Sequence, residues 1–194
     1  MNTNFNPKIL FTKIRNVKSP NRAHPTDAGT DFYIPEYDKE FLEALIIKNA
    51  NNRIFYNPIM EKEYDENGKV VREYVKDLEV VIPSGEQVNI PCGIKVWIID
   101  KRTFLQATNK SGIASNFHLD VMANTIDANY QGEMHLNLVN TGNTTVIIKT
   151  GQKLVQMIHK EYIDSDFSEI SNEDYNKIGQ SDRGDGGFSS TGIY

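Results

Sequence analysis

The chain has 194 residues, a net charge of −5 and one cysteine, Cys92. That length buries a single core without staples, and a lone cysteine excludes an internal disulfide and fits a reducing compartment. The acidic balance argues against a phosphate-tracking grip on long nucleic acid but leaves room for a small anionic ligand held by a few placed groups.

The N-terminus, MNTNFNPKILFTKIRNV, has no long apolar run, so neither a signal peptide nor a membrane span is expected. KILFTKIRN (8–16) alternates and reads as a first strand. TDAGTDFYIP (26–35) follows, with Asp27 and Asp31 around a glycine. It reads either as a loop entering a strand or as carboxylates for Mg²⁺, which takes one or two of them plus phosphate oxygens.

Residues 36–77 break the pattern. EYDKEFLEALIIKNANN puts Phe41, Leu42, Leu45 and Ile46 on one face of an amphipathic helix. FYNPIMEKEYDENGKVVREYVKD then predicts a hairpin with a type I′ turn at Asn67-Gly68. The block reads as an insertion into a β domain: a decoration or edge cover, or a surface for a protein partner with a basic face.

Short β-branched runs resume at LEVVIP (78–83), QVNIPCGIKVWII (87–99) and FLQAT (104–108), punctuated by SG, PCG and DKR. HLDVMAN (118–124), EMHLNLVN (133–140), TTVIIK (144–149) and KLVQMIHKEY (153–162) complete the set. Runs of this kind predict an all-β sandwich or barrel over 1–162, with a polar, linker-like arm over 163–194.

Four stretches carry possible chemistry. NKSGIAS (109–115) reads as a loop, and its Lys-Ser-Gly cluster suits phosphate oxygens, although it lacks the spacing of a Walker loop. DANYQGEMHL (127–136) begins with Asp127 at a tight turn, beside Tyr130. A rigidly held carboxylate can deprotonate a water and a ring can support a sugar; equally, Asp127 can cap a turn and Tyr130 pack on the sheet. In GQKLVQMI (151–158), alternation puts Lys153, Val155 and Met157 on one face and Gln156 among apolar neighbours on the other, where its amide needs partners. RGDGGFSSTG (183–192) combines one arginine, glycines, hydroxyls and a lone Phe188, and reads as a disordered end, an adhesion tripeptide or an arm that closes over an anion. The four histidines show no metal-ligand spacing, and Cys92 has no nucleophile context.

Taken in order, DAGTDFYIP, NKSGIAS, ANTIDANYQGEM, GQKLVQMI and RGDGGFSSTG resemble the five motifs of the trimeric dUTPase family. The resemblance implies a jelly-roll β-barrel, a homotrimer, and Mg²⁺-dependent hydrolysis of dUTP to dUMP and pyrophosphate. By the same resemblance, Asp127 activates the attacking water and Tyr130 lies under the deoxyribose. Asn124, Thr125, Ile126 and Asp127 read the uracil edge. Ser111, Gly112, Lys110 and Gln156 meet phosphates, and Asp31 stands near the metal through water. Arg183, Phe188, Ser190 and Thr191 form the closing arm, with Arg183 on the γ-phosphate. A cytoplasmic setting is expected (host cytoplasm for a viral chain).

The chain departs from the family pattern at Lys110 and Lys153, where arginine is usual, and at Asn124, where glycine is usual. Asn129 and Ser189 differ as well. The rival readings are a dCTP deaminase-like enzyme on the same scaffold and a regulatory protein acting through 36–77.

Overall fold

The strands alternate apolar and polar residues over much of their length, and their apolar set converges on one core. The computed structural model describes residues 9–179, 181 and 184. It divides into two compact units, Met1–Tyr162 and Ile163–Tyr194.

In the first unit the order is β1 (Ile9–Lys13), β2 (Thr30–Tyr33), α1 (Lys39–Lys48), β3 (Phe55–Tyr64), β4 (Val70–Ile82), β5 (Gln87–Pro91) and β6 (Ile94–Ile98). It continues with β7 (Thr103–Asn109), α2 (Ser111–Phe117), β8 (Leu119–Val121), β9 (Thr125–Ile126), β10 (His135–Asn140), β11 (Val146–Lys149) and β12 (Lys153–Glu161). Four antiparallel sheets form: β1-β6, β5-β10-β8, β11-β4-β3 and β2-β12-β7-β9. The inward residues of these strands, among them Leu78, Ile82, Ile90, Ile98, Leu136 and Leu138, make one buried cluster. This is the all-β fold that the strand pattern predicts, with the jelly-roll character that the family resemblance implies. Among the described residues, no helix is long and apolar enough to cross a membrane.

The 36–77 block is more deeply built in than a decoration. Asp38 caps α1 by accepting from the Phe41 N–H at 2.6 Å. Phe41 and Leu45 are fully buried, Leu42 is partly buried, and Ile46 is exposed. Asn49 ties the helix end to β5: its amide donates to Leu45 O and Asn89 O, and its Oδ1 accepts from Asn89 N. The hairpin is present, but β4 runs without a break through residue 77, so that boundary falls inside a strand. The turn is not type I′, which needs φ > 0 at both central residues. Only Gly68 is left-handed, at φ 77°, and Asp65 Oδ1 accepts from the N–H groups of Asn67 and Lys69. The Asp65 carboxylate thus fixes the turn one residue earlier than the Asn-Gly pair suggests.

The run 87–99 is two strands, split at Cys92-Gly93, where Gly93 sits at φ 71°. In the second unit, α3 (Asn172–Lys177) begins at Ser171, whose Oγ accepts from Asp174 N at 3.0 Å. A segment that composition reads as linker therefore carries a capped helical turn.

Candidate active site

Two clefts on the first unit hold six of the candidate site residues singled out by sequence: Thr125 and Asp127 in one, Lys110, Ser111, Gly112 and Gln156 in the other. The sheet β2-β12-β7-β9 positions both, at opposite ends of β7.

The first cleft lies beyond the C-terminal end of β7. Its volume is about 390 Å³, and Lys110, Ser111, Gly112, Asn116, Lys153 and Gln156 line it. NKSGIAS is not a loop here: Ser111–Phe117 is helical, entered from an extended Lys110 and closed by His118 in the left-handed region at φ 52°. Ser115 donates its hydroxyl proton to Ser111 O at 2.5 Å, which supports the short helix. The N–H groups of Ser111 and Gly112 precede the first intrahelical bonds, made by Ile113 and Ala114 to Lys110 O.

Asp31 sits behind this cleft, 3% exposed. Its Oδ1 accepts from Lys110 Nζ, and its Oδ2 accepts from Lys153 Nζ at 2.7 Å. Burial pushes the Asp31 carboxyl up, but the hydrogen bonds from Lys110 and Lys153 outweigh it and hold it below its ordinary value. Bonding to Asp31 in turn raises Lys153. Gln156 is half-buried, and its amide donates to Asn109 O at 2.8 Å. A bulge between Lys153 and Val155 breaks the expected alternation, so that Leu154 and Val155 are both buried. Gly29 has a specific reason to be glycine: an added Cβ would stand 2.2 Å from Gln156 Oε1.

The second cleft, about 650 Å³, lies at the other end of β7 and is lined by Asp127, Thr125, Phe104, Thr103, Lys101 and Tyr162. Strand β9 pairs Thr125 with Gln106 and Ile126 with Leu105, and Ala107 N donates to Asn124 O. Asp127 then opens a turn that Tyr130 N closes on Asp127 O at 3.1 Å. Asp127 and Tyr130 are exposed. Asn124 is not in the left-handed region, so the missing glycine there brings no backbone strain.

The segment is a turn between two sheets and not a hairpin, since β9 pairs with β7 while β10 pairs with β5 and β8. Sequence reasoning missed what holds it. Tyr130 donates its hydroxyl proton to Glu133 O at 2.8 Å, and a Cβ at Gly132 would meet that ring at 2.4–2.5 Å. The Glu133 carboxylate accepts from Arg15 Nε and Nη2 at 2.8 and 3.0 Å and from Gly93 N at 2.8 Å. Burial raises the Glu133 carboxyl, but its bonds from Arg15 and Gly93 bring it below the ordinary value. Lys101 Nζ donates to Ala128 O at 2.8 Å, bracing the turn from the other side. Residues 118 positions apart leave no local pattern, so nothing in the sequence marks the Arg15–Glu133 pair.

The register gives the separation of the two clefts within one chain. Asp127 is level with Phe104, and Lys110 follows Asn109 at the far end of the strand. That interval is roughly 20 Å at the rise of a β-strand. Arg183, Phe188, Ser190 and Thr191 lie outside the described residues.

The donor set does not fit a protein-held magnesium. Among the described residues no three His, Cys, Asp or Glu side chains converge as ligands, and both Asp31 oxygens are engaged by ammonium groups. Burial pushes the Cys92 thiol up to about 12, which leaves it neutral and unreactive.

An antiparallel β scaffold with a lysine-lined cleft and a separate carboxylate-bearing turn defines the chain as an all-β, jelly-roll-like protein. The dUTPase family model matches residues 74–192, more than half of the sequence, and the chain belongs to that family. A deoxyuridine 5'-triphosphate nucleotidohydrolase of Finegoldia magna is 30% identical over 159 residues, 78% of this chain and 99% of that protein. One from Paramecium bursaria Chlorella virus 1 is 31% identical over 115 residues, 59% of this chain and 77% of the relative. In fold, the chain resembles the dUTPase of Staphylococcus bacteriophage 80alpha solved with dUpNHpp, at a TM-score of 0.64 and 18% identity, over 98% of this chain and all of that one.

Proposed function

We propose that this protein hydrolyses dUTP to dUMP and pyrophosphate, at sites completed between copies of the chain in a homotrimer. The observation that carries the reading is the placement of the Asp127 turn and the lysine cleft at opposite ends of β7. A water on the α-phosphorus must lie within hydrogen-bond reach of Asp127 while the outer phosphates meet the lysines. An interval of roughly 20 Å along one strand is a long reach within a chain. Pairing one copy's turn with a neighbour's cleft shortens it.

In this reading Asn124, Thr125 and Ile126 face the base, and the Tyr130 ring lies under the sugar. Asp127 takes a proton from water as its oxygen bonds to the α-phosphorus, and the bond to the bridging oxygen breaks in line, releasing pyrophosphate. Lys110, Lys153, Ser111, Gly112 and Gln156 hold the phosphates. Arg183, Phe188, Ser190 and Thr191 close over the nucleotide. Magnesium travels with the triphosphate and, when bound, offsets charge on its oxygens.

A pyrophosphate-release assay on dUTP, dTTP, UTP and dCTP tests the reading. Release from dUTP far above the others supports it; ammonia release from dCTP without pyrophosphate would favour the deaminase-like alternative and overturn it.

A further inference from the structure

The residue that family resemblance puts near the metal has a different set of neighbours. Asp31 is almost fully buried, and each of its oxygens is taken by a different lysine. Both lysines line the anion cleft, one from the end of β7 and one from the start of β12. Their stems differ in freedom: the Lys110 side chain is 21% exposed and that of Lys153 is 44% exposed. A free lysine samples many rotamers, and two ammonium groups aimed into one cleft repel each other. A carboxylate between them removes both obstacles.

We propose that Asp31 is the anchor of a two-lysine polyphosphate clamp, a positioning residue that acts through Lys110 and Lys153 and not through magnesium. The inference rests on the reading of this cleft as the phosphate site. Lysine, unlike arginine, is a point charge with three donors. Each ammonium group therefore spends one proton on Asp31 and keeps two for phosphate oxygens. The clamp is thus preset before the ligand arrives, and the ordering of two flexible stems is complete at the folding stage. Magnesium, engaged by the phosphates, would meet in Asp31 a carboxylate already paired with two ammonium groups.

The sign of one measurement separates this from a metal role. Removing a negative charge beside an anion site should, by Coulomb's law alone, tighten anion binding. Removing the anchor of the clamp should loosen it. Inorganic tripolyphosphate is titrated calorimetrically, with EDTA present, into the full-length wild type and its Asp31→Asn, Lys153→Met and double variants. The clamp predicts that Asp31→Asn binds tripolyphosphate about tenfold or more weakly, the cost of reordering a lysine stem. It also predicts that the double variant loses less than the product of the single losses, because Asp31 acts partly through Lys153. Unchanged or tighter binding in Asp31→Asn overturns the proposal.

If Asp31→Asn does not fold, Lys153→Met decides, since it sits on an exposed stem and frees one Asp31 oxygen. The clamp predicts that Lys153→Met weakens tripolyphosphate binding with EDTA present, where no metal can carry the effect, whereas unchanged binding overturns it. Weak tripolyphosphate binding by Asp31→Asn in a protein whose wild type does not hydrolyse dUTP would leave the clamp standing and remove the proposed reaction alone.

Discussion

Replacing Gly29 by alanine is expected to evict the Gln156 amide from the lysine-lined cleft. The new Cβ would stand 2.2 Å from Oε1, 2.6 Å from Cδ and 3.0 Å from Cβ of Gln156. The first two atoms can swing away, but the third moves only with β12. Swinging away breaks the 2.8 Å bond from the amide to Asn109 O. Overpacking costs about 1–3 kcal/mol and a lost hydrogen bond about 0.5–1.5 kcal/mol, so Gly29→Ala should destabilise by roughly 2–4 kcal/mol. Gln156→Ala alone forfeits the bond, about 1 kcal/mol. In the double variant most of the clash is gone, and stability should fall within about 1 kcal/mol of Gln156→Ala, a non-additivity of about 2 kcal/mol. Urea melts of the four proteins measure this. Strictly additive losses would refute the steric argument. The same series should raise the dUTP KM as much for Gly29→Ala as for Gln156→Ala.

Asp127→Asn should lower kcat by roughly 10²–10⁴-fold with dUTP affinity retained, measured by turnover and by nucleotide titration. Arg15→Ala leaves the partly buried Glu133 carboxylate with only its bond from Gly93 N and should cost about 1–3 kcal/mol in chemical denaturation, with loss of turnover as the Tyr130 turn slackens. Acid should destabilise the fold through Asp31 and Glu133. Both carboxyls are held below their ordinary values, so their contribution is full above about pH 4–5 and is lost as pH falls through the lowered values. Urea midpoints against pH should therefore drop below pH 4, and less steeply in a folded Asp31→Asn variant.

The strands were legible because their β-branched runs alternate and end at Gly, Pro and Asn. Cys92-Gly93 marks the split in 87–99, and the breaks around β7 fall where DKR and NKS stand. The helix at Ser111–Phe117 was not legible: Ser, Gly and Asn are weak helix formers, and its end depends on His118 taking a left-handed conformation. The Asn67-Gly68 pair misled because Asp65, two residues earlier, sets the turn through its own carboxylate. The candidate site residues stand in legible motifs, yet their mutual geometry does not show in them. That Asp127 and Lys110 stand at opposite ends of one strand follows from the pairing of Ile126 with Leu105, a contact no local pattern encodes. The two lysines on Asp31 join positions 79 and 122 residues apart, and only the fold brings them together.

Mixing two crippled proteins tests the shared site most directly. Asp127→Asn breaks the carboxylate half, and Lys153→Ala weakens the lysine half by about 10–100-fold, the worth of one charged hydrogen bond. Refolded together in equal amounts and assayed at dUTP far below KM, they should recover about a quarter of wild-type turnover, because one pairing in four joins two intact halves in a cyclic assembly. A mixture no more active than the mean of the two variants would place both halves on the same chain and contradict the account.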